Sequence, residues 1–310
     1  IQLYAKPNLT PHDFKVADFL ARQMERFARI NRYGQTGNEV DLNPNVANRN
    51  KGDRKKPTKN FFSDEAIEKL EEIFFAESFE YQLRWHRAGL EHRIRDILKS
   101  RQIGATFYFS REALLHALKT GHNQIFLSAS KTQAYVFREY IIQFARRVDV
   151  DLTGDPIVIG NNGAKLIFLG TNSNTAQSHN GDLYVDEIFW IPNFQKLRKV
   201  SSGMASQSHL RSTYFSTPST LAHGAYPFWS GELFNRGRAS ASERVDIDIS
   251  HDALAAGVAC PDGQWRQIVT IEDALAGGCT LFNLEQLKRE NSVDDFRNCL
   301  LYTSPSPRDY

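Results

Sequence analysis

Apolar and polar positions follow two different rhythms along this chain. In residues 13–30 (DFKVADFLARQMERFARI) apolar side chains recur three and four apart, which predicts an amphipathic helix. A second helix is expected from Ser63, a good N-cap followed by acids, through Ile67, Leu70 and Phe74. The stretch between them is rich in Asn, Gly and Pro and carries a basic cluster, Lys51, Arg54, Lys55, Lys56 and Lys59. It reads as a linker or flexible arm.

From about residue 92 the rhythm changes to strands alternating with helices. HRIRDILKS, NQIFLSAS, GDLYVDE and RSTYFSTPS read as strands. ATFYFSREALLHALKTG, TQAYVFREYIIQFARRV and NFQKLRKVSSGM read as helices, and PIVIGNNGAKLIFLG as a hairpin with Asn-Gly near its turn. This order predicts an α/β fold with a mostly parallel sheet covered on both faces. In such sheets ligands gather at the C-terminal ends of the strands.

Three of those ends carry candidate chemistry. KSRQIGAT, from Lys99 to Thr106, follows a strand and opens a helix, as a phosphate-binding loop must. Gly104 allows close backbone approach, and the Thr106 hydroxyl is placed for Mg²⁺. The usual G-x-x-x-x-G-K-[ST] pattern is broken twice, near Ser100 and at Ala105. An ordinary strand–helix turn would look the same. LYVDE ends a buried strand in Asp186 and Glu187; in P-loop ATPases the first acid orders Mg²⁺ and the second acts on the attacking water. STPST, from Ser216, offers hydroxyls that can sense the γ-phosphate, or it is a Pro-containing turn. Each motif alone is ambiguous, and their joint order is far more specific. Upstream, Tyr81 can stack on a base and Gln82 can both donate to and accept from adenine. Trp85 beside them reads as core.

Composition narrows the setting. The 310 residues are 41% hydrophobic and 24% charged, with a formal net charge of +2. A sizeable core is available, and any nucleic-acid contact must come from local patches. One such patch is the six Arg and Lys from Arg84 to Arg101, which could serve phosphate or DNA. Three cysteines (Cys260, Cys279 and Cys299) lack C-x-x-C spacing, which points to a reducing compartment with neither a disulfide framework nor a zinc knuckle. No apolar run approaches the length of a membrane span. Asp246 and Asp248 would share one face of a strand at VDIDIS, like a metal pair, although such spacing is commonplace. The histidines are scattered, and His179 and His223 have no cysteine partners at ligand spacing.

The run SRQIGAT, then SASK at Ser128–Lys131, LYVDE and STP, resembles the large terminase (ATPase) subunit of tailed bacteriophages. YQLRW upstream and TIEDALAGGCTLFNLEQLKRENSVDDFRN downstream look like the branch found in temperate, contractile-tailed phages. The resemblance implies a P-loop NTPase fold (ASCE-type) with ATP and Mg²⁺ as cofactors. It implies a homo-oligomeric ring that drives double-stranded DNA through the capsid portal protein, with a small terminase subunit and a C-terminal nuclease domain as companions. The setting would be the cytoplasm of an infected bacterium, transiently at the procapsid portal. Carried onto this chain, Lys99, Ser100, Arg101, Gln102, Ile103, Gly104, Ala105 and Thr106 form the phosphate loop. Gln82, with Tyr81, sits at the adenine; Thr106 and Asp186 hold Mg²⁺; Glu187 is the catalytic carboxylate; Ser216, Thr217 and Pro218 couple hydrolysis to movement. Because Ala105 stands where the loop lysine is usual, a cation must come from elsewhere. Lys99 is expected to replace it, and Arg101 to sense charge through its planar fork.

The expected division is an N-terminal helix and basic linker (1–60), an ATPase core (61–240), its end and a linker towards a nuclease (241–298), and a non-native tail (299–310). LLYTSPSPRD reads like a translated sequencing-adapter tail, so native sequence is expected to end near Asn298, and Ile1 is not the expected start. Two other functions remain at this stage. A helicase-type ATPase would need a second motor core, and nothing after residue 240 looks like one. A non-catalytic scaffold that binds DNA or portal would have a degenerate loop, against which the intact Asp-Glu pair argues.

Overall fold

The computed structural model describes residues 10–42, 59–171 and 179–290. The chain divides into two compact units, Ile1–Thr58 and Lys59–Tyr310.

In the first unit the predicted helix is present as α1, Pro11–Thr36. Thr10 and Asp13 close a capping box at its start, Pro11 occupies the first turn, and Gly37 ends it in the left-handed conformation at φ 65°. Its apolar stripe, including Phe14, Phe19, Met24 and Phe27, is exposed. A single helical turn follows at Glu39–Leu42. Lys51, Arg54, Lys55 and Lys56 lie outside the described residues.

The second unit is built on one eight-stranded sheet. Its strands are β1 (Ile94–Lys99), β2 (Gln124–Leu127), β3 (Ile157–Val158), β4 (Lys165–Leu169), β5 (Asp182–Asp186), β6 (Ser212–Ser216), β7 (Val258–Ala259) and β8 (Trp265–Val269). Their spatial order is β3-β4-β2-β5-β6-β1-β8-β7. All pairings are parallel except those of the short edge strands β3 and β7. Its helices longer than a single turn are, among the described residues, α2 (Asp64–Ala76), α3 (Glu80–Glu91), α4 (Ala105–Thr120), α5 (Lys131–Arg146), α6 (Phe194–Met204), α7 (Ile271–Ala276) and α8 (Leu284–Glu290). As expected, Ser63 caps α2 by accepting from the Ala66 amide.

Alternate residues of the inner strands point to opposite faces, and each face buries its own apolar cluster. One holds Trp85, Tyr108, Phe109, Phe126, Phe168, Tyr184 and Phe215; the other holds Leu98, Leu127, Val185, Phe194, Tyr214 and Trp229. Phe126 stacks between Phe168 and Tyr184 of the neighbouring strands, with ring centroids at 5.2 and 5.3 Å. Such cross-strand pairs help fix register.

One expectation needs correction. VDIDIS forms no strand: residues 244–249 are unpaired, Asp246 and Asp248 are exposed, and Asp248 accepts from the Ser250 amide at 2.9 Å. Nothing there gathers a metal. Beyond residue 240 the sheet continues with β8, which pairs in parallel with β1.

Candidate functional site

The C-terminal ends of β1, β5 and β6 lie together, since β6 stands between the other two. That places the loop after Lys99, the Asp186–Glu187 pair and Ser216–Thr217 side by side. The loop leaves β1 with the Ser100 amide bonded to Val269 at 2.8 Å, then turns through two left-handed residues, Gln102 at φ 59° and Gly104 at φ 77°. Helix α4 begins at Ala105, so its unpaired N-terminal amides face the loop, as anion binding requires.

Tyr81 and Gln82 hold this loop from behind. The Tyr81 hydroxyl donates to the Ile103 carbonyl at 2.7 Å, and Gln82 Nε2 reaches the same oxygen at 3.4 Å. Gln82 Oε1 accepts from the Phe79 amide at 3.1 Å. Tyr81 is buried, stacked on Phe79 with its ring meeting Trp85 edge-on. It presents no open face on which a base could stack. A Cβ at position 104 would lie 3.2 Å from Gln82 Nε2, so glycine serves both the conformation and the close approach here.

Lys99 and Glu187 form the centre of the site. Lys99 Nζ lies 2.9 Å from Glu187 Oε1, and the Lys99 side chain is buried. Glu187 adopts φ 54°, ψ 52°, unusual for a residue with a side chain. Its other oxygen, Oε2, accepts from the Thr217 amide at 2.9 Å, the Thr217 hydroxyl at 2.8 Å and the Ser216 hydroxyl at 3.2 Å. Burial pushes its pKa up, but the Lys99 charge and these hydrogen bonds outweigh burial and leave it below the usual value.

Asp186 behaves in the opposite way. Burial, reinforced by the Glu187 charge, pushes its pKa up to about 7. Thr106 Oγ1 stands 3.5 Å from its Oδ2, while Oδ1 is buried with no hydrogen-bond partner. A buried orphan carboxylate oxygen beside a hydroxyl is the donor set a hard divalent cation takes. Ser100 Oγ is likewise buried without a partner.

Arg101 and Pro218 are at the rim. Arg101 is exposed, with its guanidinium carbon 5.8 Å from the Trp190 ring centroid. Trp190 Nε1 donates in turn to the Thr217 hydroxyl at 2.8 Å. Trp190 therefore joins the site, although nothing in the sequence pattern singled it out.

The basic run from Arg84 to Arg101 does not form one patch. Arg95 is buried in an ion pair with Glu112 at 2.8 Å, and Arg93 bonds the carbonyls of Leu210 and Ala205. Arg84 and Arg87 pair with Glu80 at the surface. These arginines have structural partners; only Lys99 and Arg101 of the six face the site.

A phosphate-type loop after one strand, an acid pair after another and a hydroxyl-bearing strand between them define the class: a P-loop NTPase fold of the ASCE type. Residues 96–302 match the family model described as "Terminase large subunit, T4likevirus-type, N-terminal", and the chain belongs to that family. It is 84% identical over 300 residues to the "Terminase, ATPase subunit" of Escherichia phage P2, covering 97% of this chain and 51% of that protein. It is 45% identical to the "Probable terminase, ATPase subunit" of Haemophilus phage HP1, covering 82% of this chain and 43% of that one. The chain thus spans about half the length of these relatives. The large terminase ATPase domain of Thermus phage P74-26 shares the fold, with a TM-score of 0.50 at 16% identity over 77% of this chain and 96% of that one.

Proposed function

We propose that this chain is the ATP-hydrolysing motor of a phage terminase and drives double-stranded DNA into the procapsid. The observation that carries this reading is Glu187. A carboxylate ionised at neutral pH is aimed by Lys99 on one oxygen and by Thr217 on the other, next to a second acid that faces Thr106.

In this reading the loop amides and the N-terminus of α4 bind the ATP phosphates, while Gln82 and Tyr81 keep the loop in shape. Gln82 is buried, so a direct contact with adenine requires its side chain to become accessible. Mg²⁺, held by Thr106 and Asp186, would offset phosphate charge, and its presence would keep Asp186 ionised. Glu187 orients a water and accepts its proton. Lys99 supplies the cation that Ala105 does not, entering from the strand end instead of the helix start. Arg101, free at the rim, is assigned to the γ-phosphate. Loss of that phosphate alters the demands on Lys99 and Glu187, and Ser216 and Thr217 carry the change to β6.

Double-stranded DNA, the small terminase subunit and the portal protein are the proposed partners, with the chain working as a homo-oligomeric ring. The proposed place of action is the infected bacterial cytoplasm, transiently at the portal. No helix among the described residues is long and apolar enough to cross a membrane.

DNA-stimulated ATP hydrolysis tests the proposal. Glu187→Gln is expected to lower turnover by about 10²–10⁴-fold, the usual contribution of a positioned acid or base, while nucleotide still binds. Lys99→Ala is expected to abolish turnover. Near-normal hydrolysis by Lys99→Ala would remove that residue from its assigned role. Binding without hydrolysis in the unaltered chain, with DNA present, would favour the scaffold reading.

A further inference from the structure

A second cluster of ligand-type side chains sits at the opposite end of β5. Asp182 opens that strand and Asp186 closes it, so the two lie about 13 Å apart at ordinary strand rise. Around Asp182 stand His116, in the last turns of α4, and His122, just after the Gly121 turn that ends it. His116 Nε2 is 3.0 Å and His122 Nδ1 3.3 Å from Asp182 Oδ2. One ligand atom from each of the three residues lies within 4.8 Å of the others.

Hydrogen bonding accounts for only part of the arrangement: His122 Nδ1 is hydrogen-bonded to Asp182 Oδ2 at 3.3 Å. His116 Nε2 is buried and, despite its proximity to the carboxylate, makes no hydrogen bond of acceptable geometry. Asp182 is already bonded, with Oδ1 accepting from the Arg211 amide at 2.7 Å and Oδ2 from Gln124 Nε2 at 3.0 Å. Ligating carboxylates are commonly held by such outer partners.

We propose that His116, His122 and Asp182 bind a divalent transition-metal ion of the zinc type. Ligands about 2.0–2.1 Å from a tetrahedral zinc stand roughly 3.3 Å apart, and both histidine-to-aspartate separations are near that value. Imidazole nitrogen with carboxylate oxygen favours zinc over magnesium. The fourth position falls to water or to the exposed His209, whose ring centroid lies 5.1 Å from that of His122. The ion would join the rear of α4 to the rear of β5. The fronts of the same two elements carry Thr106 and Asp186, so it would act as a pin behind the nucleotide site.

The test uses the chain stripped of metal with a chelator and then dialysed against zinc chloride, with bound metal measured by elemental analysis and stability by thermal melting. One zinc per chain is expected, with a raised melting temperature and no such rise from magnesium chloride alone. His116→Gln and His122→Gln, both at partly exposed positions, are expected to fold, to lose the bound zinc and to lose the rise. Cobalt in place of zinc should give visible d–d bands without thiolate charge transfer. The proposal is overturned if the dialysed chain keeps no zinc, if either variant keeps as much as the parent, or if cobalt reports thiolate ligands from Cys260 or Cys279. In the first case the histidines would be hydrogen-bond and ion-pair partners of Asp182 alone.

Discussion

At the scale of single residues, two acids of the central sheet, Asp96 buried on β1 and Glu187 half-buried just after β5, have opposite consequences. Glu187 occupies a left-handed conformation that costs an ordinary residue about 1–2 kcal/mol. Its bonds to Lys99, Ser216 and Thr217 offset that strain, and strain of this kind concentrates where geometry matters to function. Asp96 on β1 has no such partners. Both its carboxylate oxygens are buried without hydrogen bonds, and burial, despite the nearby Arg266 charge, pushes its pKa up to about 7. An acid with a raised folded-state pKa takes up protons on folding, so it weakens the fold as pH climbs from its unfolded value towards about 7 and by a constant amount above that. Arg266 keeps its bidentate pairing with Asp262, at 2.7 and 2.6 Å, without Asp96. Asp96→Asn is therefore expected to raise the melting temperature at about pH 8, with the gain shrinking towards about pH 4. Thermal melts across that range decide it; a gain that grows on acidification would refute the assignment.

At the scale of elements, the strands that were legible are those whose inner positions are apolar. ILK, QIFL, LYVD and STYF each run into a loop marked by glycine, serine or acid, so both the strands and the site at their ends could be read. β8 was not. Its core letters, Arg266 and Gln267, signal surface, yet both are buried and satisfied. Arg266 bonds Asp262 and the carbonyls of Trp229 and Phe228, while Gln267 accepts from Trp85 Nε1 at 2.8 Å and donates to Ala255. Partners so far away in sequence leave no local pattern. The same holds for His116, His122 and Asp182, which topology alone brings together, and for Trp190. VDIDIS failed in the opposite sense, since its alternation is real but no strand lies beside it. Another long-range tie is Asn60, at φ 55° before α2. It bonds the Thr153 carbonyl at 3.0 Å, the Val158 carbonyl at 2.8 Å and the Thr153 amide at 2.9 Å, clipping the entry of this unit to the β3 edge. Asn60→Ala leaves those groups unpaired and is expected to cost about 1–3 kcal/mol, read from the denaturation midpoint.

At the scale of the whole molecule, the proposed motor would have to convert the state of its nucleotide into a change elsewhere, and a connected series of contacts runs through the candidate site. Lys99 meets Glu187, Glu187 meets Thr217, Thr217 accepts from Trp190, and the Trp190 ring faces Arg101. Both ends of this chain of contacts, Lys99 and Arg101, stand at the start of the same loop between β1 and α4. A γ-phosphate that draws Lys99 away from Glu187 would loosen Thr217, and Arg101 moving towards phosphate would uncover the indole. Trp190 is 49% exposed, so its fluorescence is open to changes in solvent contact and in the position of Arg101. Binding of a non-hydrolysable ATP analogue is expected to change the emission of the parent chain, and Trp190→Phe should remove most of that change. Trp190→Phe also deletes the hydrogen bond to Thr217 while touching neither Lys99 nor Asp186. If the route transmits the nucleotide state, this variant keeps basal ATP hydrolysis close to the parent's but loses much of its stimulation by DNA. Equal stimulation in parent and variant would place the coupling elsewhere in the fold. A proportionate fall in both rates would instead make Trp190 a support for Glu187 itself, because Thr217 without its indole partner no longer holds the carboxylate in line.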